Sequence, residues 1–305
     1  MQSNRIIGMI VRGTGGLYEA DLSAHAGEAQ RRVLCDARGI FRKDKRRPCV
    51  GDMAELTVTL ADGEERGVIE ELLPRRNLLI RPPVANVDVL FIVTAAASPE
   101  PSLENIDKLT AIAVHNGIEP VILINKTDLA SAGELERIYR AAGFAAAALS
   151  ARGEGFDASA ILERLEGRVG VLCGASGVGK TTILNRILPG LGLSTGELSR
   201  KTDRGRHTTR EVGLMRAGGG YIADTPGFSL IDFERFDFFK KEDLLAAFPD
   251  IERKADGCKF AKCSHTKEEG CAVLAALREG KVEASRHASY AALHALLDKK
   301  SRVYK

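Results

Sequence analysis

With 305 residues, 44% of them hydrophobic, the chain is long enough for two or three domains, and it contains no internal repeat or low-complexity tract. Its formal net charge of only +3 excludes nucleic-acid binding through global basicity, so any such affinity must come from local patches. Six cysteines, with no signal peptide and no apolar run long enough to span a bilayer, point to a reducing cytoplasmic setting and no membrane partner.

The amino-terminal part reads as a small barrel. Short β-rich runs at 6–11, 32–35, 54–60 and 67–69 are separated by Gly, Asp and Asn turns, with no convincing helix between them. Close spacing over about eighty residues makes an OB-fold the natural candidate for residues 1–82. Within it Arg38, Arg42, Lys43, Lys45, Arg46 and Arg47 crowd around Phe41, opposed only by Asp44. A charge run is ordinarily a solvated face, but a barrel context with a nearby aromatic favours RNA.

The next region, 83–230, carries nucleotide motifs in an unusual order. Asn125-Lys126-Thr127-Asp128 follows the apolar run Val121-Ile122-Leu123-Ile124, so it sits at the carboxyl end of a buried strand, where open α/β sheets bind ligands. The tetrapeptide resembles the guanine-specificity motif N-K-x-D. The Asp128 carboxylate can accept both the ring N–H and the exocyclic amine of guanine, whereas adenine offers no such donor pair. Asn125 would support the base and its loop, and the stem of Lys126 would cover a ring face. Ser150 and Ala151, after a short strand at 144–149, resemble the S-A element that backs the base.

Only then comes Gly174-Ala175-Ser176-Gly177-Val178-Gly179-Lys180-Thr181, which satisfies G-x-x-x-x-G-K-[ST]. It follows the strand-like run 169–173 and precedes a helix-like segment starting at Thr182. Glycines let the backbone approach the phosphates, successive N–H groups face the anion, Lys180 reaches the β/γ oxygens, and the Thr181 hydroxyl can hold Mg²⁺. Residues 221–227 read as a strand ending in D-x-x-G, where Asp224 could hold Mg²⁺ through water and the Gly227 N–H could sense the γ-phosphate. Base motif, S-A, phosphate loop, switch and D-x-x-G, in that order, make a circularly permuted GTPase domain. Permutation joins the switch directly to the chain beyond Phe228.

The carboxyl-terminal stretch, 231–305, looks like a metal domain with an Ala/Leu-rich helix at 285–298. Cys258, Cys263, His265 and Cys271 form C-x4-C-x-H-x5-C, four soft or borderline ligands within fourteen residues. In a reducing compartment this cluster fits Zn²⁺ better than a disulfide. Cys35, Cys49 and Cys173 read as scattered free thiols, and His25, His115, His287 and His294 as surface or helix-packing residues.

These three parts, with Arg76-Asn77 and Arg81-Pro82-Pro83-Val84-Ala85-Asn86-Val87-Asp88 at the first junction and Gly205-Arg206-His207-Thr208-Thr209 in the switch, resemble the ribosome small subunit-dependent GTPase A (RsgA) family nearly end to end. The resemblance implies an OB-fold, a permuted GTPase domain and a domain holding one structural zinc. It further implies a GTP hydrolase of late small-subunit maturation, with rRNA as binding surface and turnover stimulated by the subunit. GTP/GDP, Mg²⁺ and the small ribosomal subunit are the expected partners of a monomeric chain. Thr181-Thr182 replaces the serines common there and keeps the hydroxyl. Phe228 stands where many GTPases carry the water-orienting Gln, so His207 is the candidate for that role and Thr208 or Thr209 for the γ-phosphate/Mg²⁺ contact. Flanked by Arg204, Arg206 and Arg210, His207 could equally face RNA. Two other classes are compatible with the motifs: an RNA-binding scaffold or nucleotide switch with little hydrolysis, and an ATP-driven P-loop enzyme with an accidental N-K-x-D.

Overall fold

The computed structural model describes residues 4–23, 31–39, 41, 47–61, 63–80, 83–191, 212–224, 233 and 236–303. Its elements in chain order are β1 (Asn4–Thr14), β2 (Leu17–Asp21), β3 (Arg32–Ala37), β4 (Met53–Ala61), β5 (Glu64–Leu72), β6 (Leu78–Ile80), β7 (Pro83–Ala85), β8 (Val89–Ala95), α1 (Leu103–His115), β9 (Glu119–Asn125), α2 (Gly133–Ala142) and β10 (Ala145–Ala148). There follow α3 (Ser159–Leu165), β11 (Val169–Cys173), α4 (Lys180–Ile187), β12 (Leu214–Ala217), β13 (Gly220–Asp224), α5 (Pro249–Glu252), α6 (Ala272–Arg278) and α7 (Ala284–Val303).

Two compact units emerge. The first comprises Met1–Val89, Ala158–Leu172 and Leu184–Gly227; the second comprises Leu90–Asp157, Cys173–Ile183 and Phe228–Lys305.

In the first unit, five strands close a barrel in the order β1-β2-β3-β5-β4, with β3 and β5 parallel and the other pairs antiparallel. Alternating residues turn inward, so Val33 and Cys35 of β3 are buried while Arg32, Leu34 and Asp36 face out. The sequence reading missed β2. Its signal was the Gly15-Gly16 pair, whose φ values of 61° and 97° make the tight two-residue turn joining Thr14 to Leu17. Phe41 also corrects the sequence reading: it is only 9% exposed and packs into the barrel core with Ile10, Val33 and Leu56. Its ring therefore cannot stack on RNA. Of the basic cluster, Arg38 pairs with Glu70 at 2.8 Å, and residues 42–46 lie outside the described residues.

In the first unit β11, β13 and β12 lie side by side, with β11/β13 parallel and β12 antiparallel to β13; in the second, β10, β9 and β8 lie side by side, with β10/β9 parallel. Every residue of β8 is buried, which explains its uninterrupted apolar run. In the second unit, the Ser102 hydroxyl caps α1 by accepting from the Asn105 amide, and Gly143, left-handed at φ 96°, ends α2.

One buried cation ties the second unit together. Arg286 of α7, fully enclosed, donates to both oxygens of Asp250 (2.8 and 3.1 Å), to Asp107 Oδ1 of α1 (2.8 Å) and to Thr110 Oγ1 (3.1 Å). Its guanidinium also lies 4.6 Å from the Phe248 ring centre and 5.3 Å from that of Phe144. Arg286→Ala leaves two carboxylates without their cation and is expected to lower unfolding free energy by about 3–5 kcal/mol. Urea unfolding measures this, and a loss below about 1 kcal/mol, the scale of an exposed pair, would refute it.

Candidate nucleotide site and metal centre

The base motif, the S-A loop and the phosphate loop converge within the second unit. The loop after β11 curls through Gly174, Gly177 and Gly179 at φ 131°, 79° and 101°, conformations that glycine alone adopts without strain. Space demands the same at two of them. A Cβ on Gly174 would lie 2.0 Å from the Val93 carbonyl oxygen, and one on Gly179 would lie 2.2 Å from Asn125 Nδ2. Lys180, the first residue of α4, turns its ammonium back into the curl and donates to the carbonyls of Gly174 (2.8 Å) and Ala175 (2.7 Å). Thr181 and Thr182 occupy the first turn of α4. Ser176 is exposed and Val178 is buried.

Asn125, at the end of β9 and 2% exposed, joins three loops. Its amide nitrogen donates to the Val178 carbonyl of the phosphate loop at 2.8 Å, and its amide oxygen accepts from the Ala151 N–H at 2.9 Å. Lys126 takes a left-handed conformation (φ 64°), and its ammonium donates to the Ser98 carbonyl. The Thr127 amide donates to the Leu149 carbonyl at 3.3 Å. The Ser150 hydroxyl donates to Asp128 Oδ1 at 2.5 Å, and this bond holds the Asp128 carboxyl below its ordinary pKa. Asp128 thus stays an ionised acceptor. A left-handed Lys126 turns the chain so that the next two residues approach the S-A loop, a placement invisible in the tetrapeptide alone.

Asp224 closes β13 and stands opposite Leu172 of β11. Gly227 and the switch residues His207, Thr208 and Thr209 lie outside the described residues.

The four predicted metal ligands come together. One donor atom from each of Cys258, Cys263, His265 and Cys271 lies within 4.8 Å of all the others. Cys258 Sγ is 3.4 Å from His265 Nδ1 and 3.8 Å from Cys271 Sγ, and Cys271 Sγ is 3.6 Å from His265 Nδ1. Tetrahedral bonds of about 2.3 Å to sulfur and 2.0 Å to nitrogen imply edges of roughly 3.5–3.8 Å, so the edges among Cys258, His265 and Cys271 match a four-coordinate ion, with Cys263 within reach as the fourth donor. Burial opposes ionisation of Cys258, but the N–H groups of Ala272 and Val273 and the neighbouring thiols outweigh it and hold this thiol below its ordinary pKa. Glu268 shapes the ligand loop by accepting from the Ser264 amide and hydroxyl at 2.8 and 2.5 Å. The sequence reading missed His287, whose Nε2–H donates to the His265 carbonyl at 2.8 Å. That bond orients a ligand through its backbone, and nothing in the residue spacing signals it.

A phosphate-type loop tied to a base motif that precedes it in the chain, with a closed barrel before and a Cys/His cluster after, defines a circularly permuted P-loop GTPase. The RsgA GTPase family description matches residues 72–234, and the RsgA N-terminal domain matches residues 7–69. The small ribosomal subunit biogenesis GTPase RsgA of Caldanaerobacter subterraneus subsp. tengcongensis is 40% identical, covering 99% of both chains. The protein of that name from Bacillus velezensis is 38% identical, covering 93% of this chain and 94% of its own. Two solved structures superpose at TM-score 0.79. YloQ, a circularly permuted GTPase, is 31% identical and matches over 97% of this chain and 96% of its own; YjeQ from Thermotoga maritima is 33% identical over 96% and 99%. The chain belongs to the RsgA GTPase family.

Proposed function

We propose that this chain binds and hydrolyses GTP in late biogenesis of the small ribosomal subunit, binding rRNA and being stimulated by the subunit. The observation that carries the nucleotide part is Asn125, one buried side chain joining base motif, S-A loop and phosphate loop. Asp128 reads the guanine edge, Ser150 and Ala151 back the base, Lys126 covers it, and the 174–179 amides cradle the phosphates with Lys180 at the β/γ oxygens. Thr181 and Asp224 hold Mg²⁺, which when bound with GTP offsets phosphate charge. Gly227, Thr208 and Thr209 contact the γ-phosphate side, and His207 orients the attacking water. Cys258, Cys263, His265 and Cys271 hold one structural zinc. With Phe41 in the core, the 38–47 cluster contacts rRNA phosphates rather than stacking on bases, a salt-dependent mode of binding. The protein acts as a cytoplasmic monomer; among the described residues no helix is long and apolar enough to cross a membrane.

The test is GTP turnover with and without purified small subunits, alongside competition of labelled GTP by ATP. Stimulated, ATP-resistant turnover is expected; equal competition by ATP would make the protein a general nucleotide enzyme, and binding without turnover would make it a scaffold. Asp128→Asn is expected to weaken GTP by roughly 2–4 kcal/mol, because the amide leaves a guanine donor unpaired, and to favour xanthosine triphosphate. Unchanged GTP affinity in that variant removes the base assignment. His207→Ala is expected to lower stimulated turnover about a hundredfold with nucleotide affinity intact; a normal rate rules the role out.

A further inference from the structure

Asp21 closes β2 with its side chain fully enclosed, and neither barrel closure nor nucleotide chemistry needs a charge there. Its carboxylate accepts from the Tyr221 hydroxyl at 2.9 Å and from Arg216 Nε and Nη2 at 3.2 and 3.5 Å. The Ser23 hydroxyl and amide also donate to it at 2.6 and 3.0 Å. Arg216 belongs to β12 and Tyr221 to β13; the two are directly paired across the hairpin, with the guanidinium 5.7 Å from the tyrosine ring centre. A second fastening lies just before β12, where Arg12 of β1 and Gly213 form an isolated antiparallel bridge. The hairpin is thus bound to the barrel both by backbone and by a half-buried ionic cluster centred on the enclosed Asp21.

An enclosed carboxylate paired in this way is a poor stabiliser, since apolar groups of the same volume often do as well, and the best-attested use of such a pair is to set register or act as a switch. The location suits the second use. In sequence, β12 follows the switch segment 199–210, and β13 ends at Asp224, the first residue of D-x-x-G and three residues beyond Tyr221. Both segments are those whose motif chemistry answers to the γ-phosphate. Packed elements joined by such clusters adopt discrete arrangements, so a small change at the strand end is passed on rather than absorbed.

Resting on the GTPase reading above, we infer that Asp21 is a positioning residue that couples nucleotide state to the barrel through Arg216 and Tyr221. The surface offered to RNA then differs between the GTP and GDP forms, and by linkage RNA held on the barrel biases the nucleotide site.

Hydrogen exchange of the β2 amides in the full-length protein tests this, comparing GDP with a nonhydrolysable GTP analogue. The wild type is expected to show at least about a fivefold difference in exchange between the two forms, the lower end of measured couplings. Asp21→Asn and Tyr221→Phe should reduce that difference below about twofold while leaving GDP affinity within about twofold of wild type. A purely structural role would loosen both nucleotide forms equally and preserve the difference, and that result overturns the coupling. Tyr221→Phe deletes only one hydroxyl, so it carries the test if Asp21→Asn fails to fold. A wild type that binds both nucleotides yet exchanges identically at β2 sinks the coupling alone; one that binds neither sinks the GTPase reading with it.

Discussion

Lys180→Ala is expected to cut subunit-stimulated GTP turnover by about a thousandfold or more, about 4 kcal/mol of transition-state stabilisation. Phosphoryl transfer leaves the protein little covalent chemistry, so catalysis rests on fixed charges and donors around the phosphates. The Lys180 ammonium is already directed into the curl of the loop by the carbonyls of Gly174 and Ala175, and little reorganisation precedes its use. Alanine removes that charge yet is a better helix former, so α4 should persist. Asn125 grips the loop through the Val178 carbonyl without involving Lys180, and this too should survive. Turnover assays with small subunits, paired with circular dichroism melting, measure both halves of the expectation. Retained stimulated hydrolysis in a folded Lys180→Ala protein would mean that the phosphate loop has been misread.

Metal removal should have the second largest effect. Chelation or Cys258→Ala is expected to drop stimulated turnover to the basal rate while the protein still binds GDP. Structural zinc contributes about 10–16 kcal/mol of apparent binding free energy to small domains, and that free energy is folding free energy for the loop that supplies the ligands. The structure limits how far the damage spreads. Arg286 clamps α7 to Asp107 and Asp250 without using any metal ligand, so α7 should stay docked on α1 while the loop at 256–272 loosens. The residues proposed to hold nucleotide lie between Asn125 and Gly227, upstream of that loop. Hydrogen exchange should therefore rise within 256–272 and change little in β8 and β9. Protein purified natively without stoichiometric metal, or Cys258→Ala with full stimulated activity, would defeat the expectation.

Sequence alone determined the family, the permuted order of the nucleotide motifs and the Cys/His cluster. Each depends on chemistry compressed into a few neighbouring residues: a glycine-rich loop before Lys180, four residues at 125–128, four ligands between Cys258 and Cys271. It also predicted the barrel from short alternating runs, although β2 escaped because its own five residues carry little strand signal and it is made a strand by pairing with β1 and β3. Tertiary structure decided which way side chains face and which distant residues meet. Phe41, read beside its arginines as an RNA-stacking ring, turns inward because burying an aromatic in the barrel core is worth about 2–3 kcal/mol and adjacency in sequence says nothing about which face it takes. The long-range partners of Arg286, His287 and Asp21 lie 22 to 200 residues away along the chain. No periodicity or spacing connects residues so far apart; only the closed barrel and the packed helices bring them within hydrogen-bonding range, where an enclosed charge must find its counterpart.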